Sequence, residues 1–235
     1  MALRALLFDV DGTLVDTEEL HRGAFNEAFR QLSLGWDWGR SLYAELLVVS
    51  GGAERIAAYI DRLQAPAAEK TRLRRLVPLV HGEKTRIYRE LLASGGAQLR
   101  PGVARLIDEA RAAGLKIGLA ATSASTRVQA PGIAIDAIVC VDQVARKKPA
   151  PDLYELLVAT LRVPAAACAA FEDSANGLAA AKAAGLFTVV TPSRWTLGQD
   201  FSAADLVLPT LECLGLARIE ALHAAATPTL HEVRT

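Results

Sequence analysis

Six short apolar runs constrain this chain most: Ala5–Phe8, Ile117–Ala121, Ala137–Val141, Ala167–Phe171, Phe187–Val190 and Leu206–Leu208. Each has the length of a strand and is nearly continuous rather than alternating. A strand with one wet face alternates, whereas a run apolar throughout suits a parallel sheet buried on both faces. The segments after Pro101, Pro151 and Ser174 read as helices. Pro101 and Pro151 suit helix starts, where a missing N–H costs nothing. Gly114 and Gly185, each just before a strand, suit helix stops. The alternation predicts an α/β fold with a doubly wound, Rossmann-like parallel sheet.

One segment breaks the rhythm. From Glu18 to about Ser94 no strand pattern occurs, and apolar residues recur at helical spacing: Phe25, Ala28, Phe29, Leu32; then Ile56, Tyr59, Ile60, Leu63; then Ile87, Leu91. This predicts a small all-helical insert after the first strand, leaving the core near Asp16 and rejoining it near Leu99. The expected organisation is a core domain over 1–16 and 97–235 and a helical domain over 17–96. The tail after Glu220 is expected to be loosely held.

Composition narrows the function classes. Lys+Arg and Asp+Glu are both 26, so no global basic field draws nucleic acid or an anionic membrane. The three cysteines are far apart and include no CxxC pair, which argues against a disulfide framework or a zinc site. Cys140 and Cys168 lie in apolar runs and read as buried thiols. No signal-peptide pattern and no apolar stretch of about 18 residues occurs. A soluble, cytoplasmic, reduced protein is expected.

The chemistry concentrates at strand ends. In "LLFDVDGTLVDTEELH", Asp9 closes the first run and Asp11 follows at i+2, on the same side of an extended chain. Gly12 permits a sharp turn. An Asp-Gly turn explains Asp11 and Gly12 but leaves Asp9 unexplained. A calcium loop counted from Asp9 fails, because its sixth position is Leu14 and its twelfth Leu20. Glu172 and Asp173 follow the fourth run in "AAFEDSANGLAAAKAAG". That pair equally suits a helix N-terminus, but two acid-tipped strands suggest a Mg2+ site with room for water and phosphate. In "KKPAPD", Lys148 is the candidate to balance phosphate charge and Lys147 reads as a solvated charge. In "LAATSAST", Thr122 or Ser123 is the candidate phosphate-oxygen donor, and a helix-cap role is open to Ser123 or Ser125.

These elements arrive in order, each past a strand. Together, Asp9-Val10-Asp11-Gly12-Thr13, the strand-end hydroxyl, Lys148-Pro149 and Glu172-Asp173 resemble the haloacid dehalogenase superfamily of phosphohydrolases over essentially the whole chain. The segments "TEELHRGAFNEAF", "SGGAERI", "HGEKTRIY" and "VVTPSRWTLGQDFSAADLVLP" are similar to its CbbY-like branch, close to β-phosphoglucomutase. The helical insert matches the family's small cap.

The resemblance implies a Mg2+-dependent sugar-phosphate phosphatase, acting on xylulose-1,5-bisphosphate, a by-product that inhibits the carboxylase of the Calvin cycle, or on a related phosphosugar. Asp9 would attack phosphorus and form an aspartyl-phosphate. Asp11 would protonate the leaving oxygen and deprotonate water. Mg2+ would sit on Asp9, Asp173 and a backbone oxygen of Asp11, with Glu172 beside it. Lys148 and Thr122 or Ser123 would hold phosphate oxygens. Glu18 and His21, three apart on one helix face, would read the sugar from the cap. Gly51 and Gly52 would form a tight loop near the site. Arg55 and Lys84 match positions that grip a second phosphate, and both could equally be solvated charges. A monomer is expected.

Three departures stand out. Ala53 replaces a common family lysine. Ungapped counting back to Gly114 places Ala121, not Thr122, at the strand-end hydroxyl. The stretch Ser125–Ile133 is short for a crossover helix, and Pro131 interrupts it. The alternatives are β-phosphoglucomutase-like transfer, a phosphoglycolate-type phosphatase, and a weakened member that only binds phosphosugar or a protein partner.

Overall fold

The structure, a computed structural model, describes residues 1–95, 98–121 and 134–226. Six strands form one parallel sheet: β1 (Ala5–Asp9), β2 (Lys116–Ala121), β3 (Ala137–Cys140), β4 (Cys168–Glu172), β5 (Phe187–Val190) and β6 (Leu206–Val207). Their order across the sheet is β3-β2-β1-β4-β5-β6. β1 is therefore central, and the winding reverses between β1 and β4. The expected doubly wound core is present, and each apolar run is a strand to within one residue at either end.

Both faces are buried, which is why the runs are continuous. Leu6 and Phe8 of β1 pack with Ile117, Leu119, Ala169 and Phe171 under α6 (Val103–Ala112) and α9 (Leu216–Ala226). Ala5 and Leu7 point the other way, onto α7 (Asp152–Leu161) and α8 (Ala175–Ala183). The two-residue period survives inside each run even though both faces are apolar.

Gly118 of β2 lies opposite Leu7. A β-carbon there would sit 2.9 Å from Leu161 Cδ1, 3.0 Å from Leu7 Cδ2 and 3.1 Å from Leu157 Cδ1. The missing side chain lets α7 settle closely on the sheet.

Between β1 and α6 the chain makes five helices: α1 (Glu18–Gln31), α2 (Arg40–Leu46), α3 (Gly52–Arg62), α4 (Ala67–Arg74) and α5 (Val77–Ala93). One aromatic cluster holds Phe25, Phe29, Trp38 and Tyr43 with Ile56 and Ile60. A second packs α1 on α5 through Ala24, Ala28, Ile87, Tyr88 and Leu92. Of these, Phe25, Ala28, Phe29, Ile56, Ile60 and Ile87 are helical-period positions of the sequence, and Ala24, Trp38, Tyr43, Tyr88 and Leu92 join them. Val15 and Leu99 form an antiparallel bridge where the chain leaves and rejoins the sheet. Trp195, from the loop after β5, packs into the insert's aromatic cluster, edge-on to Tyr43 at 5.5 Å.

One expectation needs correction. The chain after Glu220 is helical to Ala226, with His223 buried edge-on to Phe187 at 5.7 Å, and residues 227–235 lie outside the described residues. The Ala-rich composition concealed this, because a helix of small residues shows little amphipathic contrast. Cys140 and Cys168 are buried thiols, as expected, and Cys213 is exposed. Among the described residues no helix is long and apolar enough to cross a membrane.

Gly118→Ala tests the α7 contact. The added methyl should cost about 1–3 kcal/mol through overpacking. Thermal unfolding of the variant should shift down by several degrees, and an unchanged midpoint would show that Leu157 and Leu161 yield freely.

Candidate active site

Parallel pairing brings the carboxyl ends of β1 and β4 side by side, at the point where the sheet order reverses. Such a crevice is where open α/β sheets bind ligands. Asp9 ends β1, Glu172 ends β4, and Asp173 follows; all three are buried. One carboxylate oxygen from each lies within 4.8 Å of the others. Gly12, at φ +89°, makes this approach possible, since a β-carbon there would lie 2.7 Å from Asp173 Cγ and overlap its carboxylate.

Lys148 binds the group together. Its Nζ donates to Asp9 Oδ1 at 2.6 Å and to Glu172 Oε1 at 2.5 Å. Tyr154 Oη, from α7, donates to the same Glu172 oxygen at 2.5 Å. Burial works against the Lys148 charge, but Asp9 and Glu172 outweigh it and raise the ammonium pKa. One lysine does not balance three acids. Burial lifts Asp9 well above the carboxylate range, with Lys148 opposing and Glu172 and Asp173 reinforcing. Asp173 is pushed up to about 8, first by burial and then by Glu172 and Glu18.

Glu172 Oε2 is buried with no hydrogen-bond partner. A compact group of hard oxygen donors, short of positive charge and with an orphaned oxygen, fits Mg2+. The Asp11 carboxylate stands outside this group.

Asp11 is turned toward the insert instead. Its Oδ1 accepts from Thr17 Oγ1 at 2.6 Å and Tyr88 Oη at 3.1 Å, and lies 3.2 Å from His21 Nε2. His21 stacks on Tyr88 with ring centroids 3.8 Å apart, and Lys84 Nζ lies 2.6 Å from His21 Nδ1. An ammonium only donates, so with Lys84 charged Nδ1 accepts and Nε2–H donates to Asp11. Lys84 itself is pushed down to about 8, chiefly by burial.

A cavity of about 230 Å³ lies between sheet and insert. Asp9, Asp11, Lys148 and Asp173 line it from the core; Glu18, His21, Gly51, Gly52, Arg55 and Lys84 line it from the insert. Glu172 lies beneath, fully buried. Arg55 donates to Leu46 O at 3.2 Å, Val49 O at 3.3 Å and Tyr43 Oη at 3.1 Å, and Tyr43 donates to Glu18 Oε2 at 2.7 Å. Thr122 and Ser123, and the Ser125–Ile133 stretch, lie outside the described residues.

Lys147 is exposed, as a solvated charge is, and it also lines the cavity and forms an ion pair with Glu54 of α3. Sequence reading also passed over His81, Thr85 and Tyr88, which line the cavity with Lys84. Their spacing places them on one helix face, so the signal was present. Asn176 carried no local signal; its Nδ2 reaches across to Val48 O at 2.8 Å and Ser50 Oγ at 3.2 Å.

Carboxylates of this kind at the switch point of a doubly wound sheet, under a helical insert, define a hydrolase class. Residues 3–185 match the family model for haloacid dehalogenase-like hydrolases, and the chain belongs to that family. Within it, the chain falls with the CbbY-like and β-phosphoglucomutase-like members. It is 45% identical to Protein CbbY of Rhodobacter capsulatus over 94% of this chain and all of the relative. It is 32% identical to Beta-phosphoglucomutase of Bacillus subtilis, over 88% of this chain and 89% of the relative. A crystal structure of a mutant CbbY from Rhodobacter sphaeroides, in complex with xylulose-(1,5)bisphosphate, is 41% identical. It superposes with a TM-score of 0.83 over 93% of this chain and 99% of that one. The chain is a phosphatase of this class.

Lys84 offers a test by pH. Its ordinary pKa of 10.5 falls to about 8 on folding, so the unfolded state holds the proton more tightly. Between those values the folded lysine is neutral while the unfolded one stays charged. Stability relative to Lys84→Met should therefore rise by up to about 3 kcal/mol from pH 8 to 10.5. Denaturant unfolding of both proteins across that window measures it, and a flat difference would refute a depressed Lys84.

Proposed function

We propose that this chain is a Mg2+-dependent sugar-phosphate phosphatase that works through an aspartyl-phosphate on Asp9, with xylulose-1,5-bisphosphate or a close relative as substrate. The observation that carries this reading is the buried group of Asp9, Glu172 and Asp173, with Lys148 bridging Asp9 and Glu172 at 2.6 and 2.5 Å. The sugar bisphosphate bound by the related CbbY supports the substrate class. In this reading the chain serves carbon fixation by clearing a misformed sugar.

Lys148 holds one Asp9 oxygen and leaves the other to attack phosphorus. The bond from phosphorus to the sugar oxygen breaks, and Asp11 delivers a proton to that oxygen. Water then attacks the phosphorylated Asp9, gives its proton to Asp11, and frees phosphate and the carboxylate. Asp9, Glu172 and Asp173, with a backbone oxygen of Asp11, would hold Mg2+, which when bound neutralises phosphate charge that Asp9 would otherwise repel. Lys148 also balances charge on the phosphate. Thr17, His21 and Tyr88 orient Asp11 for both proton transfers.

Residues 17–96 act as the cap over a core of 1–16 and 97–235, hinged near the Val15–Leu99 bridge. From the cap, Glu18 and His21 would face the sugar, while Arg55 and Lys84 would add positive charge to the same cavity. Closure keeps bulk water from the phosphorylated Asp9.

The test is phosphate release from xylulose-1,5-bisphosphate, ribulose-1,5-bisphosphate, β-glucose-1-phosphate and phosphoglycolate, with and without Mg2+. Release should be Mg2+-dependent and strongest for the xylulose compound. Asp9→Asn should keep the fold by circular dichroism and lose activity by about a thousandfold or more. A folded Asp9→Asn that still turns over would remove Asp9 as nucleophile. Transfer of the phosphoryl group to a sugar, with no free phosphate, would make the enzyme a mutase.

A further inference from the structure

The cavity is lined by four lysine or arginine side chains among the described residues: Arg55, Lys84, Lys147 and Lys148. Three are deeply committed. Lys148 is buried between Asp9 and Glu172. Lys84 is buried against His21, under the rings of Phe25 and Tyr88. Arg55 is held by two backbone carbonyls and the Tyr43 hydroxyl. Lys147 differs: its side chain is 39% exposed, and its recorded partner is the Glu54 carboxylate, itself 45% exposed. Such a pair is weak in water and exchanges easily for a better anion.

The pair also sits against the cavity wall. A β-carbon at Gly51, which lines the cavity at φ +95°, would overlap the Glu54 carboxylate and lie 3.0 Å from Lys147 Nζ. The glycine leaves this spot open, and an acidic side chain of the protein's own occupies it. Lys147 directly precedes Lys148, so the chain itself fixes its distance from the reacting end of the cavity.

We propose that Lys147 recognises a second anionic group of the substrate, and that Glu54 holds that place until the substrate displaces it. This rests on the phosphatase reading and deepens it: the preferred substrate carries two phosphates, one at Asp9 and one at Lys147. A double anion displaces Glu54 at little cost, while a monophosphate gains nothing there. Lys147 is thus a specificity residue, and Glu54 sets a threshold against singly charged sugars.

Calorimetric binding and steady-state kinetics test this, with xylulose-1,5-bisphosphate against xylulose-5-phosphate in the presence of Mg2+. Binding is measured in an Asp9→Asn background, with and without Lys147→Met or Glu54→Gln; kinetics use the same substitutions in the parent. Lys147→Met should weaken the bisphosphate by about tenfold to a hundredfold and the monophosphate less than about twofold. Glu54→Gln should act in the opposite direction, tightening the bisphosphate by about twofold to fivefold. If both variants weaken both ligands alike, the pair is only a tie between core and insert, and the proposal falls. Unchanged bisphosphate binding in Lys147→Met also overturns it. A parent silent toward every phosphosugar overturns the phosphatase reading alone, because the binding ratio still reports on Lys147.

Discussion

The site depends on one buried ammonium. A parallel sheet wound outward from β1 delivers the ends of β1 and β4 to the same spot, and here each end is a carboxylate. In a low-dielectric crevice they repel unless a cation lies between them. Lys148 supplies that cation and bonds to both. Removing one partner of such a buried set costs about 3–5 kcal/mol, since the remaining charge is stranded. The set also reaches into the fold. Tyr154, which donates to Glu172, belongs to α7, and α7 lies close to the sheet because Gly118 has no side chain. Packing on one face of the sheet is thereby tied to the geometry at its edge.

Asp11 obeys a different constraint. It lies two residues from Asp9, yet its carboxylate turns to the insert, where it accepts from Thr17 and Tyr88 and lies beside His21. Asp9 is fixed by the core and Asp11 by the insert. In the proposed closure of the insert over the core, the environment of Asp11 would change while that of Asp9 would not. In the proposed mechanism these two anchorings suit a nucleophile that stays in place and a proton carrier that exchanges its proton. Trp195, from the loop after β5, packs within the insert's aromatic cluster and ties it to the core.

What the sequence disclosed follows the range of the interactions. The strands were legible because burial on both faces leaves a continuous apolar run. Asp9, Asp11, Glu172 and Asp173 were legible because each stands within three residues of the end of such a run. The His81, Lys84, Thr85 and Tyr88 face is written in helical spacing but is mixed in chemistry, so it was only half read. Lys147 was legible as an exposed charge, but its place on the cavity was not, because its partner, Glu54, is 93 residues away. Tyr154 reads as an ordinary core aromatic, and only the seating of α7 turns its hydroxyl toward Glu172. Asn176 has no local signature at all; the insert's Val48 and Ser50 define its place.

The same long-range contacts explain why the site strains against its setting. Asp9, Asp173 and Lys84 each have a pKa displaced toward the neutral form, with burial as the leading cause. Charges placed there oppose folding, and the apolar layers on both sides of the sheet must offset them. A cavity optimised for stability would replace Lys84 and Glu172 with apolar residues. It would then lose the tie from Lys84 to His21 and half of the bridge that holds Asp9. The displaced pKa values thus mark where burial leaves the protein's own charges poorly compensated. A dianionic phosphate and a divalent cation are complementary to that deficit, which links the choice of substrate to the energetics of the fold.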